Sequence, residues 1–343
     1  MAKVIEQSAE SLKIIILIMI LIGIFFLSFT VGRYAIAPDI AFGILVSKII
    51  HLTPFWPEDM EIVMLKIRLP RIMAAILVGA ALSTAGAAYQ GMFRNPMVSP
   101  GILGVTSGAS FGAALAILLS LDAVGIQVTA FAFGLLAVVI TYMIAIWLGK
   151  KGETILMMIL AGIIIGTLFT SFVSLIKYVA DPNNTLPAIT YWLMGSLASV
   201  NDSDVYLAAV PILTGLFVLT LLRWNLNVMS FGDEEAKALG INTVRLRFCV
   251  VICATMITAS AVAISGVIGL VGLVVPHLSR LLVGPNYKIL LPASSLMGSI
   301  FMLIVDNLAR TLFSLEVPLG ILTSIIGAPF FLYLLLNTRK GWA

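Results

Sequence analysis

Charge is scarce in this chain. Only 10% of its 343 residues are Asp, Glu, Lys or Arg, and 61% are apolar, whereas a soluble domain carries about a quarter charged residues. A soluble globular fold is therefore excluded. Cysteine is nearly missing too: Cys249 and Cys253 are the only two. They sit four apart in an apolar run without His or acidic neighbours, which suits small helix residues and makes a poor metal site. The two histidines, His51 and His277, stand far apart and read as packed or hydrogen-bonded residues, so we expect no metal ligands and no catalytic residues. Nothing fits G-x-x-x-x-G-K-[ST], and Gly149-Lys150-Lys151 lacks both the spacing and the hydroxyl residue. H-E-x-x-H, G-x-S-x-G and C-x-x-C-H are likewise missing. The chain has neither a nucleotide cradle nor a recognisable catalytic constellation.

Apolar runs of the ~20 residues needed to cross a bilayer recur along the chain, without the ~10-residue alternation of barrel strands. We read an all-α polytopic membrane protein, a single domain over 1–343. Ten spans are expected near 12–33, 64–92, 100–120, 124–148, 154–179, 203–222, 246–268, 270–283, 288–312 and 318–337. The eighth is too short to cross alone and contains Pro276. Broken spans survive only where protein or a cavity covers the backbone. The first run follows Lys13, and Ala35-Ile36-Ala37 resembles a signal-peptidase site. The run is longer than a signal-peptide core, and we read it as a transmembrane helix.

Basic residues orient the bundle. With a cytoplasmic N-terminus, thirteen of the twenty fall on the inner side, including Arg94, Lys150, Lys151, Arg223, Arg280, Lys288, Arg339 and Lys340. Seven lie outside: Arg33, Lys48, Lys66, Arg68, Arg71, Lys177 and Arg310. Ten of the sixteen acids lie outside as well. The net charge of +4 is thus a topology signal and not a nucleic-acid footprint. Both termini are expected in the cytoplasm of a prokaryotic cell, with the chain in the inner membrane. Outer loops 34–63 and 180–203 flank the spans. The former is expected to hold a short interfacial helix, and the latter a flat helix near Tyr191 and Trp192.

Carboxylates are almost missing from the spans. Asp306 is the main exception, with Arg310 at i+4 to neutralise it. Ion-coupled carriers bury such groups because they carry the coupling charge, so their scarcity here counts against the rival reading, a secondary carrier. An intramembrane enzyme would need a nucleophile–base pair, and none is found. If the chain transports, another subunit supplies the energy.

The stretch "SFGDEEAKALGINTVRLR" (230–247) breaks the pattern inside the cytoplasmic segment 223–247. Gly232-Asp233 can open a helix, Glu234 and Glu235 suit its first turn, and Gly240 can close it in a left-handed cap. Ala236 and Leu239, flanked by Phe231 and Ile241, form an apolar patch rimmed by charges such as Lys237. That is a form suited to docking into a groove on a soluble partner.

Three stretches then carry a family resemblance: "LKIRLPRIMAAILVGAALSTAGAAYQGMFRNPMVSPGILGVTSGASFGA" (65–113), "GLVGLVVPHLSRLLVGPNYKILLPASSLMGS" (269–299) and "DNLARTLFSLEVPLGILTSIIGAPFFLYLL" (306–335). They resemble the permeases of binding-protein-dependent ABC importers for iron–siderophores, haem and cobalamin. The resemblance implies a ten-helix, type II importer fold with an inverted repeat, since each half holds five spans. It implies a homodimer, two ATPase subunits that hold the ATP and magnesium, and an extracytoplasmic binding protein, with no cofactor on this chain. It makes Phe231, Gly232, Asp233, Glu234, Glu235, Ala236, Lys237, Ala238, Leu239 and Gly240 the coupling helix and its flanks. Arg68, Arg71 and Arg310 match the binding-protein contacts, where arginines at an outer rim would fork onto carboxylates. Asn95, Pro96 and Met97 match one inner gate loop, and Thr154, Ile155 and Leu156 the other. At that second gate the cobalamin importer carries small hydroxyl residues, whereas this chain has Ile and Leu. The expected cargo is a metal chelate, iron–siderophore first, with haem or cobalamin the alternative.

Overall fold

The computed structural model describes residues 2–48, 50, 53–149 and 154–337. His51, Lys150, Lys151, Arg339 and Lys340 lie outside them. Among the described residues the chain is helical and no strand occurs.

A long helix α1 (Ala2–Thr30), largely exposed from Glu10 onward, leads into α2 (Pro38–Ser47), the short helix expected in the first outer loop. Pro38 opens α2 where its missing N–H costs nothing. Next, α3 (Glu58–Ile62), a π-turn (Val63–Arg68) and α4 (Leu69–Met92) run on as one rod of 35 residues. Pro70 stands in the first turn of α4. It has no N–H to offer the preceding turn, which is where the wide π geometry sits.

A 3-10 turn (Pro100–Leu103) and Gly104, at φ 88°, precede α5 (Val105–Leu118). The helices α6 (Ala123–Leu148), α7 (Thr154–Val179), α8 (Thr185–Met194) and α9 (Asp202–Leu221) follow, then the short α10 (Arg223–Met229) and α11 (Asp233–Ala238). The chain closes with α12 (Thr243–Ser265), α13 (Val271–Val283), α14 (Tyr287–Thr311) and α15 (Leu319–Asn337).

Among the described residues, seven helical runs are long and apolar enough to cross a membrane alone. The shorter α5, α13 and α15 complete the ten expected spans. Two expectations shift: the third span is shorter than read, starting only at Val105 after the 3-10 turn and Gly104, and the seventh keeps its 23 residues but lies three residues earlier, ending at Ser265 before Gly266. Protein covers the second break: Ser196 N–H donates to Ser265 O at 2.8 Å, and Leu319 N–H to Gly195 O at 2.8 Å.

The halves repeat with reversed sense. In each, the third span is the short one and follows a left-handed residue, Gly104 before α5 and Leu270 before α13. The second span of each half packs on the fourth of the other, α4 on α14 and α12 on α6. This is the inverted repeat in contact form.

The buried axis is α4, with 89% of its most apolar window hidden. It is lined by small residues because lipid gives no hydrophobic drive, so helices must approach closely to gain contact. A Cβ on Gly79 would overlap the Gly298 carbonyl, and one on Gly86 the Gly272 carbonyl.

One end of the bundle joins Ser28 to Asn307, Lys66 to Asp202 and Gly195 to Leu319. The other joins Lys13 to Leu282, Gln90 to Arg280 and Asn227 to Tyr287. We call the first face outer, following the basic-residue bias.

Candidate functional site

The inner face carries α11. Gly240, at φ 79°, ends it in a Schellman motif: Ile241 N–H donates to Ala236 O and Gly240 N–H to Lys237 O, both at 2.9 Å. Arg247 of α12 clamps its start, with Nη2 donating to Asp233 Oδ2 at 2.9 Å and Oδ1 at 3.1 Å. Ala236 is fully buried and Ile241 nearly so. The apolar patch read from sequence therefore divides. Ala236 and Ile241 bind the helix to its own bundle, while Phe231, 72% exposed, and Leu239, 64% exposed, face away from it. Glu234, Glu235, Lys237 and Ala238 are exposed as well, and Gly232 is buried.

Nearby, α4 ends in the stretch read as a gate. Arg94 adopts φ 50°, and Asn95 Oδ1 takes the Met97 N–H at 2.9 Å in an Asx turn that presents Met97 outward. Pro96 is half-buried. Thr154 and Ile155 start α7 half-buried, whereas Leu156 is exposed. No hydrogen bond among the described residues links 95–97 to 154–156. The two regions join further up, where α7 packs on the 3-10 turn, with Gly162 against the Ile102 carbonyl.

Only a narrow stripe of α7 is buried, through Met158, Ala161, Ile165, Phe169, Val173 and Ile176. The opposite face is exposed and carries Thr167, Thr170, Ser171 and Ser174, each donating back to the carbonyl one turn earlier. Their oxygens remain free to accept.

At the outer face the structure corrects an expectation. Arg68, Arg71 and Arg310 do not stand as free forks on a rim; they are 4%, 5% and 5% exposed. Arg68 donates to the Phe29 and Tyr34 carbonyls, and Arg310 to Val31 O at 3.2 Å, to Ser28 O and to Asn307. These carbonyls include the unpaired ones that end α1, and a cation suits a helix C-terminus. Arg71 Nε donates to Asp306 Oδ1 at 2.8 Å, and its Nη1 to Glu316 Oε2 at 2.8 Å. The i,i+4 pair foreseen between Asp306 and Arg310 forms at 3.2 Å. Glu316, a third exposed, is the member that reaches solvent. Sequence reasoning missed Glu316, Ser28 and Asn307; the signal was the violation of the inside bias by three arginines, which called for partners without naming them.

No group of three or more His, Cys, Asp or Glu among the described residues is placed to hold a metal. The geometry is that of an inverted-repeat membrane bundle with a short helix clamped at one end. Residues 18–337 match the FecCD transport family. The chain belongs to that family. A FecCD protein is a transport permease subunit and not an enzyme. The molybdate import system permease protein MolB of Haemophilus influenzae is 41% identical over 92% of both chains. The cobalamin import system permease protein BtuC of Halobacterium salinarum is 42% identical over 81% of this chain and 74% of its own. The hemin transport system permease protein HmuU of Yersinia pestis is 37% identical over 80% and 84%. A solved structure described as an inward-facing, metal-chelate type ABC transporter superposes with TM-score 0.85 at 39% identity, covering 94% of this chain and 98% of that one.

Proposed function

We propose that this FecCD permease carries a metal complex across the inner membrane as a pair of identical chains. Two ATPase subunits would bind inside and a substrate-loaded binding protein outside. The observation that carries this reading is α11: a helix locked to the bundle by Arg247–Asp233 and a Schellman end, presenting Phe231 and Leu239. A helix fixed at its base and apolar at its tip transmits force from a partner to the spans. Closure of the ATPases would move α11 with α12 and rock the bundle about the inner stretches 95–97 and 154–156. ATP and magnesium belong to the ATPase; this chain holds no cofactor in our reading. Both termini are cytoplasmic in this arrangement.

We assign the face of α7 with Thr167, Thr170, Ser171 and Ser174 to the pathway between the two copies. Lipid gains nothing from exposed hydroxyl oxygens, and a hydrated or oxygen-rich cargo does. Iron–siderophore complexes, with haem or cobalamin as alternatives, remain the first reading. The identity to the H. influenzae molybdate permease, with that hydroxyl face, favours a second, a metal oxyanion such as molybdate. At the outer face we place binding-protein docking around Arg71 and Glu316, where a docking carboxylate would take over from Glu316. Reconstitution with the cognate ATPase and binding protein decides between cargoes. ATP-dependent uptake of a labelled iron chelate supports the first reading, and uptake of molybdate alone replaces it. Uptake that persists without the ATPase removes the proposal.

A further inference from the structure

Between α6, α9 and α12 a groove of about 730 Å3 opens sideways in the outer half of the bundle. A second chamber of about 530 Å3 continues from it under α8, sharing Gln127, Ala263 and Ile264 in its walls. The groove's long wall is apolar, with Phe131, Leu207 and Pro211. Its polar groups gather toward the outer end, where α6 and α9 begin. At the wall shared by the two chambers Gln127 Nε2 donates to Asp204 Oδ1 at 2.6 Å; Asp204 itself lines the second chamber, and the Asn201 N–H donates to its Oδ2 at 3.0 Å. Asp204 is 5% exposed, and no Lys or Arg among the described residues pairs with it. Gln127 is 8% exposed, and its Oε1 has no donor. Tyr191, Trp192 and Tyr206 surround this end, the aromatic residues that settle at headgroup level.

A groove in the walls of spanning helices opens onto lipid. An apolar length ending in a carboxylate and an amide oxygen, both lacking a cationic donor, fits one class of amphiphile. We propose that the groove binds an outer-leaflet phospholipid with a primary-ammonium headgroup, a phosphatidylethanolamine. Its acyl chain lies along Phe131, Leu207 and Pro211, and its ammonium donates to the Gln127–Asp204 pair. A buried carboxylate gains most from a donor that also carries charge. A trimethylammonium head has no N–H to give, and a phosphoglycerol head brings no cation.

The test uses the full-length protein in lipid discs made with phosphatidylethanolamine, phosphatidylcholine or phosphatidylglycerol, followed by native mass spectrometry during stepwise delipidation. Phosphatidylethanolamine is expected to be retained, one per chain, about fivefold better than the other two (about 1 kcal/mol). Val210→Trp, on a wall that is 69% exposed and therefore tolerant of a larger side chain, should block the groove and abolish retention. Asp204→Asn keeps an oxygen for the Asn201 N–H and should bring the ratio of ethanolamine to choline lipid toward one. Equal retention of the three lipids overturns the proposal. So does retention unaffected by Val210→Trp in protein whose melting temperature is unchanged, or a cross-link between two copies through Val210→Cys, which would make the groove a protein interface.

Discussion

The inner α11 segment and the outer arginine cluster look alike in sequence, each a knot of charge in an apolar chain, yet they fold in opposite ways. At α11 Glu234, Glu235 and Lys237 lie at the surface and only the Asp233–Arg247 clamp at its start is drawn in; the small apolar residue Ala236 faces inward, and the large ones, Phe231 and Leu239, face out. At the outer end the charges themselves are buried. Asp306 is fully enclosed between Arg71 and Arg310, and all three arginines cap or pair with groups of their own chain. The exposed apolar tips of α11 are what the proposed docking to an ATPase would use, whereas a buried ion network holds α1, α4 and α14 together. Charge density in the sequence cannot separate these roles; burial does.

The largest effect that would sharpen this contrast is expected at Asp306. Asp306→Ala leaves two guanidinium groups buried without their carboxylate and should cost about 3–5 kcal/mol, seen as a lower melting temperature or lost yield in detergent. A variant that melts like the parent would break the account of the outer network. Next comes Ala236→Asp, which buries a carboxylate under α11. It should cost roughly 1–3 kcal/mol and detach the ATPase together with local order, checked by proteolysis of the 230–247 loop beside ATPase pull-down. Leu239→Asp is the sharper companion. At an exposed site it should change stability by no more than about 0.5 kcal/mol, yet lose the ATPase from the complex and abolish uptake. Retained ATPase with normal uptake would show that α11's tip is not the docking surface.

The smallest effect is expected at Glu316. Glu316→Gln removes a partly exposed partner of Arg71 and should cost less than about 1 kcal/mol. It would also free one face of Arg71, so affinity for the binding protein should rise severalfold at low salt and less at high salt. Unchanged or weaker binding would mean that Arg71 remains a purely internal group.

Much of the fold could be read from particular residues. The apolar runs placed the spans, Pro276 marked the short α13, and Gly232 with Gly240 bracketed α11 to within a residue. These are local effects: hydropathy over ~20 residues, a missing N–H and a left-handed backbone depend on neighbours in the chain. The boundaries at 100–104 and 266–270 were missed because nothing local says that a glycine-rich apolar run must leave the helix. At 266–270 the Ser196 N–H, far along the chain, donates to the Ser265 carbonyl and lets the run do so. For the same reason the patch on α11 was read as one surface when it is two.

What the sequence determined by itself was the class of molecule: a ten-span helical bundle lacking nucleotide and catalytic motifs, with a capped polar helix between its sixth and seventh spans. Composition and periodicity suffice for this, since transfer of a segment into lipid is decided segment by segment. Only the tertiary structure decided which charges are tools and which are mortar. Arg71 meets Asp306 across 235 positions, and Arg310 meets the end of α1 across nearly 280. The free energy of a charge depends on its surroundings, and those surroundings exist only once the helices have packed.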